Sequence, residues 1–253
     1  MEKVNVFLLA TEEESPKTHR VAKIFNDDNE YFCISIVSSD GDSEDLDTEF
    51  RKVLQCLTYH HENYPNRYCI IVKDTSTSGF SPDDLIAFVE ATKKLKHWDI
   101  CYLSTWGDNC SLNSGPTDTG TSSDVVNTYN PNGTQALLLT PKCTAMILGR
   151  VPLRNGAKFT RNGGLSTSLN KHIANKDMVA IRARPNLITF DSNLAKNAED
   201  LQKNNECQID TKDYEINTKN DVVTSNYNNS MLILPVIGII LVLLIIFIVI
   251  RKK

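Results

Sequence analysis

Short, fully apolar runs alternate along the chain with longer amphipathic ones, and this alternation predicts strands separated by helices. Val4 to Ala10 (VNVFLLA) reads as a buried strand, and Pro16 to Phe25 as the helix after it. Tyr31 to Val37 (YFCISIV) is a second strand, closed by the turn-forming run SSDGDSED. Glu44 to Tyr64 is a helix, with Leu46, Phe50, Val53, Leu54 and Leu57 at helical spacing. Arg67 to Val72 is a third strand and Asp99 to Ser104 a fourth. Between them Ser81-Pro82-Asp83-Asp84 opens a helix through Lys96: Ser is the N-cap, Pro takes the first turn, and the acids face the dipole. Trp106 to Gly133 is polar and aperiodic and reads as a long loop. Order returns with Thr134 to Thr140, a helix from Pro141, a helix over Leu165 to Ala174, and a strand at Met178 to Ile181 entering RARPNLITF. Apolar strands separated by helices predict an α/β fold with a mainly parallel sheet covered on both faces.

The pattern changes near residue 191. Asp191 to Ser230 is dominated by Asn, Lys, Asp and Glu and reads as a polar stalk or linker, with one short helix around Leu194 to Gln202. Met231 to Ile250 (MLILPVIGIILVLLIIFIVI) then holds no charge, and seventeen of its twenty residues are Leu, Ile, Val or Phe. At about 1.5 Å per residue such a helix spans about 30 Å, the hydrocarbon thickness of a bilayer. Its insertion is favourable by about 5 to 10 kcal/mol, and Pro235 and Gly238 are tolerated in a lipid-spanning helix. The expected organisation is an α/β domain over 1–190, a linker over 191–230, one C-terminal transmembrane helix over 231–250 and a basic tail over 251–253.

VNVFLLA is too short for a secretory signal and runs straight into Thr11-Glu12-Glu13-Glu14. The expectation is therefore a tail-anchored, single-pass membrane protein whose N-terminal domain lies in the cytosol. The terminal Arg251-Lys252-Lys253 favours the opposite orientation by the positive-inside rule, but three residues are easily carried across.

Composition sharpens this division. Of 253 residues, 27 are Lys or Arg and 31 Asp or Glu, for a net charge of −4. Setting the three terminal cations aside leaves 24 basic residues against 31 acids, a net charge near −7 for the rest. That acidity argues against a nucleic-acid partner. The seven cysteines are odd in number, show no CxxC or Cys/His metal spacing, and three (Cys33, Cys69, Cys101) sit in apolar strands. They read as reduced thiols. The sequons at Asn109, Asn132 and Asn228 would matter only in a secretory lumen.

In open parallel sheets ligands bind beyond the C-terminal strand ends. Here that directs attention to Ile70-Ile71-Val72-Lys73-Asp74-Thr75, with the polar loop after Ser104 opening on the same side. A carboxylate there could hold a divalent cation and a diphosphate, although one Asp is a poor metal site. The competing reading has Asp74 capping a turn or pairing with Lys73. His60-His61 reads as a solvated helix end, and Arg161, Arg182 and Arg184 as surface charge that could meet an anion. P-loop, Rossmann and serine-hydrolase signatures are absent from the sequence.

The run RYCIIVKDTSTSGFSPDDLIAFVEATKKLKHWDICYLSTWGDN (Arg67 to Asn109), with GTQALLLTPKCTAMIL (Gly133 to Leu148) after it, resembles glycosyltransferase family 25, the lipopolysaccharide-type galactosyltransferases. In that family an apolar strand ends in Glu-Asp-Asp, a helix follows, and a Trp-Asp element like Trp98-Asp99 starts the next strand. The likeness covers roughly residues 3–190. It implies a GT-A fold, a nucleotide-sugar donor and transfer of a hexose to a hydroxyl. Two departures count against the reaction. Lys73-Asp74-Thr75 stands in place of Glu-Asp-Asp, and Gly163-Gly164-Leu165-Ser166-Thr167 replaces a segment that carries a second Asp.

The resemblance therefore implies a degenerate, non-catalytic glycosyltransferase-like domain that serves as a binding or structural module at a membrane. Lys73 and Asp74 are its candidate nucleotide-sugar contacts, and Asp74 its one candidate metal ligand. No cofactor is expected; Mn²⁺ or Mg²⁺ would enter only with an active transferase. The expected partners are the lipid bilayer, a nucleotide sugar and a protein at the membrane. A recycled enzyme fold beside a simple anchor also fits the virion membrane of a large DNA virus. The competing readings are an active membrane-tethered hexosyltransferase and a tail-anchored adaptor.

Overall fold

A computed structural model describes residues 2–25, 30–38, 46–105 and 116–190, all within the first of two compact units, Met1–Cys207. The predicted stalk, the span Met231 to Ile250 and the basic tail lie outside the described residues. No helix among the described residues is long and apolar enough to cross a membrane.

The chain runs through β1 (Val4–Leu9), α1 (Pro16–Phe25), β2 (Phe32–Val37), α2 (Leu46–Asn63), β3 (Cys69–Lys73), β4 (Ser76–Thr77), α3 (Pro82–Lys93) and β5 (Ile100–Tyr102). It continues through β6 (Asp124–Thr128), β7 (Ala136–Leu139), α4 (Pro141–Ile147), α5 (Leu165–Ala174), β8 (Ala180–Arg184) and β9 (Thr189–Phe190). Seven strands form one sheet in the order β2-β1-β3-β7-β5-β8-β6, and β4 pairs with β9 in a small ribbon. β1 is parallel to β2 and β3, and β5 to β8. β7 is antiparallel to both β3 and β5, and β6 is antiparallel to β8. The sheet is thus mainly parallel, as the apolar strands predict, with two reversed strands.

Strand alternation builds a core on each face. Val4, Val6, Leu8, Ile70, Val72, Cys101 and Ala136 pack on one face with Val21 and Phe25 of α1 and Leu85, Phe88 and Val89 of α3. The intervening Phe7, Leu9, Cys69, Ile71, Tyr102 and Leu137 pack on the other with Phe50, Val53 and Leu57 of α2, Met146 of α4 and Leu169 of α5. Leu57 is fully buried, so its truncation to Ala costs about 2 to 5 kcal/mol. α3 begins as its sequence predicts. The Ser81 hydroxyl accepts from the Asp84 amide at 3.2 Å, and the Ser81 amide donates to the Asp84 carboxylate at 3.1 Å.

Three features depart from the pattern. β6 falls inside the stretch read as a loop, because two valines between polar residues make too short an apolar signal. The β4–β9 ribbon is shorter still. His60 is not a solvated helix end: it is 1% exposed and lies on the face of α2 that also buries Val53, Cys56 and Leu57. Asn5 donates to its Nδ1 at 3.0 Å, and its Nε2–H donates to the Arg67 carbonyl at 2.9 Å. A neutral ring protonated on Nε2 satisfies both contacts. Burial lowers its pKa, partly opposed by the Arg67 carbonyl.

Candidate functional site

From β1 the chain passes to β2 on one side and then returns across β1 to β3 on the other, so the direction of winding reverses between β1 and β3. The C-terminal ends of these two strands are where an open α/β sheet makes its binding crevice. Here the crevice is bridged. Asp74 follows β3, is 4% exposed, and its Oδ2 accepts from the Thr11 amide, just past β1, at 2.7 Å. The Asp74 amide in turn donates to the Leu9 carbonyl at 3.0 Å. On the other side of the same turn, Gln135 Nε2 donates to Thr75 Oγ1 at 2.7 Å. Asp74 therefore forms a tertiary backbone contact that adjacency to Lys73 does not foretell.

Lys73 and Asp74 are neighbours in sequence, yet their side chains serve opposite faces of the sheet. Alternation carries Cys69, Ile71 and Lys73 towards α2, and Ile70 and Val72 towards α1 and α3. Lys73 Nζ lies 2.8 Å from Glu49 Oε2 of α2, with both side chains about three-quarters buried. This largely buried pair is less screened than an exposed one, because fewer waters compete for either group.

Beside that pair is a cavity of about 340 Å³ lined in part by Lys73, Glu49, Asn132, Thr134, Ser166 and Thr167. α2 and α5 both begin at this edge, since each precedes a parallel strand that starts at the far edge. Gly164 is the N-cap of α5, and a Cβ there would meet Leu46 Cβ at 3.2 Å. The missing side chain lets α5 close on the start of α2, and it leaves the first-turn amides without a side-chain cap. Gly133, at φ +94°, makes the left-handed turn that brings Asn132 and Thr134 to the rim.

The remaining candidates have structural partners. Asp99 is buried at the N-terminal end of β5, the edge opposite Asp74. Its Oδ2 accepts from Arg154 Nε at 3.0 Å and the Val179 amide at 2.8 Å, and its Oδ1 lies 4.0 Å from Lys142 Nζ. Arg161 pairs with Asp47 and stacks over the Phe50 ring. Arg182 is buried rather than a surface charge, because it lies inside the sheet in register with Tyr102 of β5 and Val126 of β6. Arg184 ends β8 opposite Asp124.

This donor set does not suit a divalent cation, which takes six or more oxygens. Asp74 offers one carboxylate already engaged with an amide. Among the described residues no group of three His, Cys, Asp or Glu side chains is placed to hold a metal. The exposed Glu12, Glu13 and Glu14 follow Thr11 and add negative charge to that side of the crevice. The Lys73 cavity offers hydrogen-bond donors around open space on this edge.

No family model matches the chain, and no curated protein matches it. Among solved structures, an apo UDP-glucose pyrophosphorylase is similar at 9% identity with a TM-score of 0.37, over 72% of each chain. A UDP-glucose pyrophosphorylase complexed with UDP-glucose is similar at 11% identity with a TM-score of 0.39, over 72% of this chain and 90% of that one. Scores this low do not bear on what this chain binds or does.

Proposed function

We propose that the chain is a membrane-anchored binding module, built on a GT-A-like sheet, that takes up a nucleotide sugar without metal-dependent transfer of the sugar. The observation that carries this reading is the Asp74–Thr11 contact, which engages the one candidate metal ligand with backbone at the point where the winding reverses. The GT-A-like character is supported by the antiparallel β7 between β3 and β5 and by the sequence resemblance around Arg67 to Asn109. The Lys73 cavity supplies an open recess on the same sheet edge. The anchor is supported by the uninterrupted apolar run Met231 to Ile250, and a cytosolic N-terminal domain is the orientation proposed with it.

Thermal-shift and calorimetric titration of the full chain in detergent micelles tests the reading, with UDP-sugars in EDTA and then in Mn²⁺. Stabilisation in EDTA, unchanged by Mn²⁺ and without sugar transfer, is expected. Stabilisation that requires Mn²⁺ and is lost in Asp74→Ala would establish the active transferase instead. No stabilisation by any nucleotide would leave the adaptor reading. Protease protection on intact membranes tests the anchor: a protected N-terminal domain would reverse the proposed orientation.

A further inference from the structure

The cavity between α2 and α5 has more donors than its internal partners use. Lys73 Nζ carries three N–H groups, of which Glu49 Oε2 takes one at 2.8 Å. Thr134, 4% exposed, lines the cavity, and its hydroxyl bonds to none of the described side chains. That hydroxyl is free to donate to an acceptor that enters the space. α5 is ten residues long, no side chain caps its first turn, and Ser166 and Thr167 of that turn line the same space. Cation, hydroxyls and helix N-terminus are all donors, and they converge on one recess. Acceptor-only anions with several oxygens meet that arrangement best, and phosphoryl groups are the common example.

We propose that this cavity is a metal-free phosphoryl subsite, with Lys73, Thr134 and the first turn of α5 as donors and Glu49 as a built-in competitor for Lys73. The subsite deepens the nucleotide-sugar reading and rests on it for the source of the phosphoryl group. Lys73 bridges Glu49 and the incoming oxygen, while the Glu49 carboxylate repels it and holds affinity down. The charged residues that line the recess are Lys73 and Glu49.

Calorimetry on the full chain in micelles, in EDTA, with pyrophosphate, a hexose 1-phosphate and UDP as separate probes, tests the subsite. All three are expected to bind. Lys73→Met should weaken each by about tenfold or more, the loss of one charge-assisted contact. Thr134→Val should weaken each severalfold with the melting temperature kept, which separates loss of a donor from loss of fold. Glu49→Gln should tighten each. Equal affinity for all four proteins, or no binding of pyrophosphate or the hexose 1-phosphate, would overturn the subsite. UDP binding that ignores Lys73→Met would overturn the subsite and leave the nucleotide-sugar reading standing. Lys73-dependent binding of pyrophosphate and the hexose 1-phosphate without UDP binding would keep the subsite and reject that reading.

Discussion

Asp74 Oδ2 accepts a 2.7 Å hydrogen bond from the Thr11 amide across the gap between β1 and β3. The carboxylate is buried, and it ties together the segments that follow β1 and β3. Removing it leaves the Thr11 amide without that acceptor. Asp74→Ala should therefore destabilise the domain by about 1 to 3 kcal/mol, read as a lower denaturation midpoint. Asp74→Asn keeps an acceptor oxygen and should lose less. A loss in Asp74→Ala that appears only when Mn²⁺ is present would show the residue to be a metal ligand instead.

Asp99 provides a second carboxylate test at the opposite edge. It is 1% exposed and gathers Arg154, Lys142 and the Val179 amide. Asp99→Ala should cost about 3 kcal/mol, the low end for breaking a buried pair, because Arg154 is one-third exposed and can return to water. Its affinity for pyrophosphate should stay unchanged. A binding defect without a stability defect would move the site to the Trp98-Asp99 end of the sheet.

The buried His60 gives stability a pH dependence whose sign follows from its environment. Its folded pKa lies below the ordinary value because burial disfavours the charged ring. The unfolded chain then binds the proton more readily between the folded value and about 6.5, so stability is full above that range and falls as pH drops through it. The full chain should melt at lower temperature at pH 5.5 than at pH 7.5. His60→Gln should flatten that slope, even if it lowers stability at both values. An unchanged slope in the variant would assign the dependence to carboxylates.

Thiol chemistry should report the packing directly. Burial pushes Cys56 up to about 11 and Cys69 up to about 12, and it raises Cys101 and Cys143 as well. At neutral pH these four should resist iodoacetamide in the native protein and react on unfolding, as peptide mass spectrometry would show. Cys33, on edge strand β2, is only partly buried and should react first among the described cysteines. Rapid labelling of Cys69 in native protein would mean that the β1–β3 core opens.

Much of the layered fold can be read from the chain because its information is local. Val4 to Leu9 and Cys69 to Val72 are apolar without interruption, and Ser81-Pro82-Asp83-Asp84 spells a helix start. The reversal of β7 leaves no such mark, since ALLL suits either direction equally well. β6 has only Val125 and Val126 to announce it. His60 did leave a trace: it continues the Val53, Cys56, Leu57 spacing by one more turn, a signal outweighed by its polarity. The site was harder. Lys73 and Asp74 invite a single shared role by adjacency, whereas strand alternation gives them different faces and distant partners, Glu49 and Thr11. Those partners lie 24 and 63 residues away, where no local pattern can show them.

The position of β1 has a further consequence, for how the domain is put together. β1 is the first of the described strands in chain order and yet an interior one, with β2 on one side and β3 on the other. β1 is therefore the seam between its two neighbours, while β2 and β6 form the two rims of the sheet. A chain begun after Ala10 would lose the seam of its sheet rather than a margin. It would leave two raw strand edges facing each other, with Asn5 gone from beside His60 and Thr11 cut loose from the strand that sets it against Asp74.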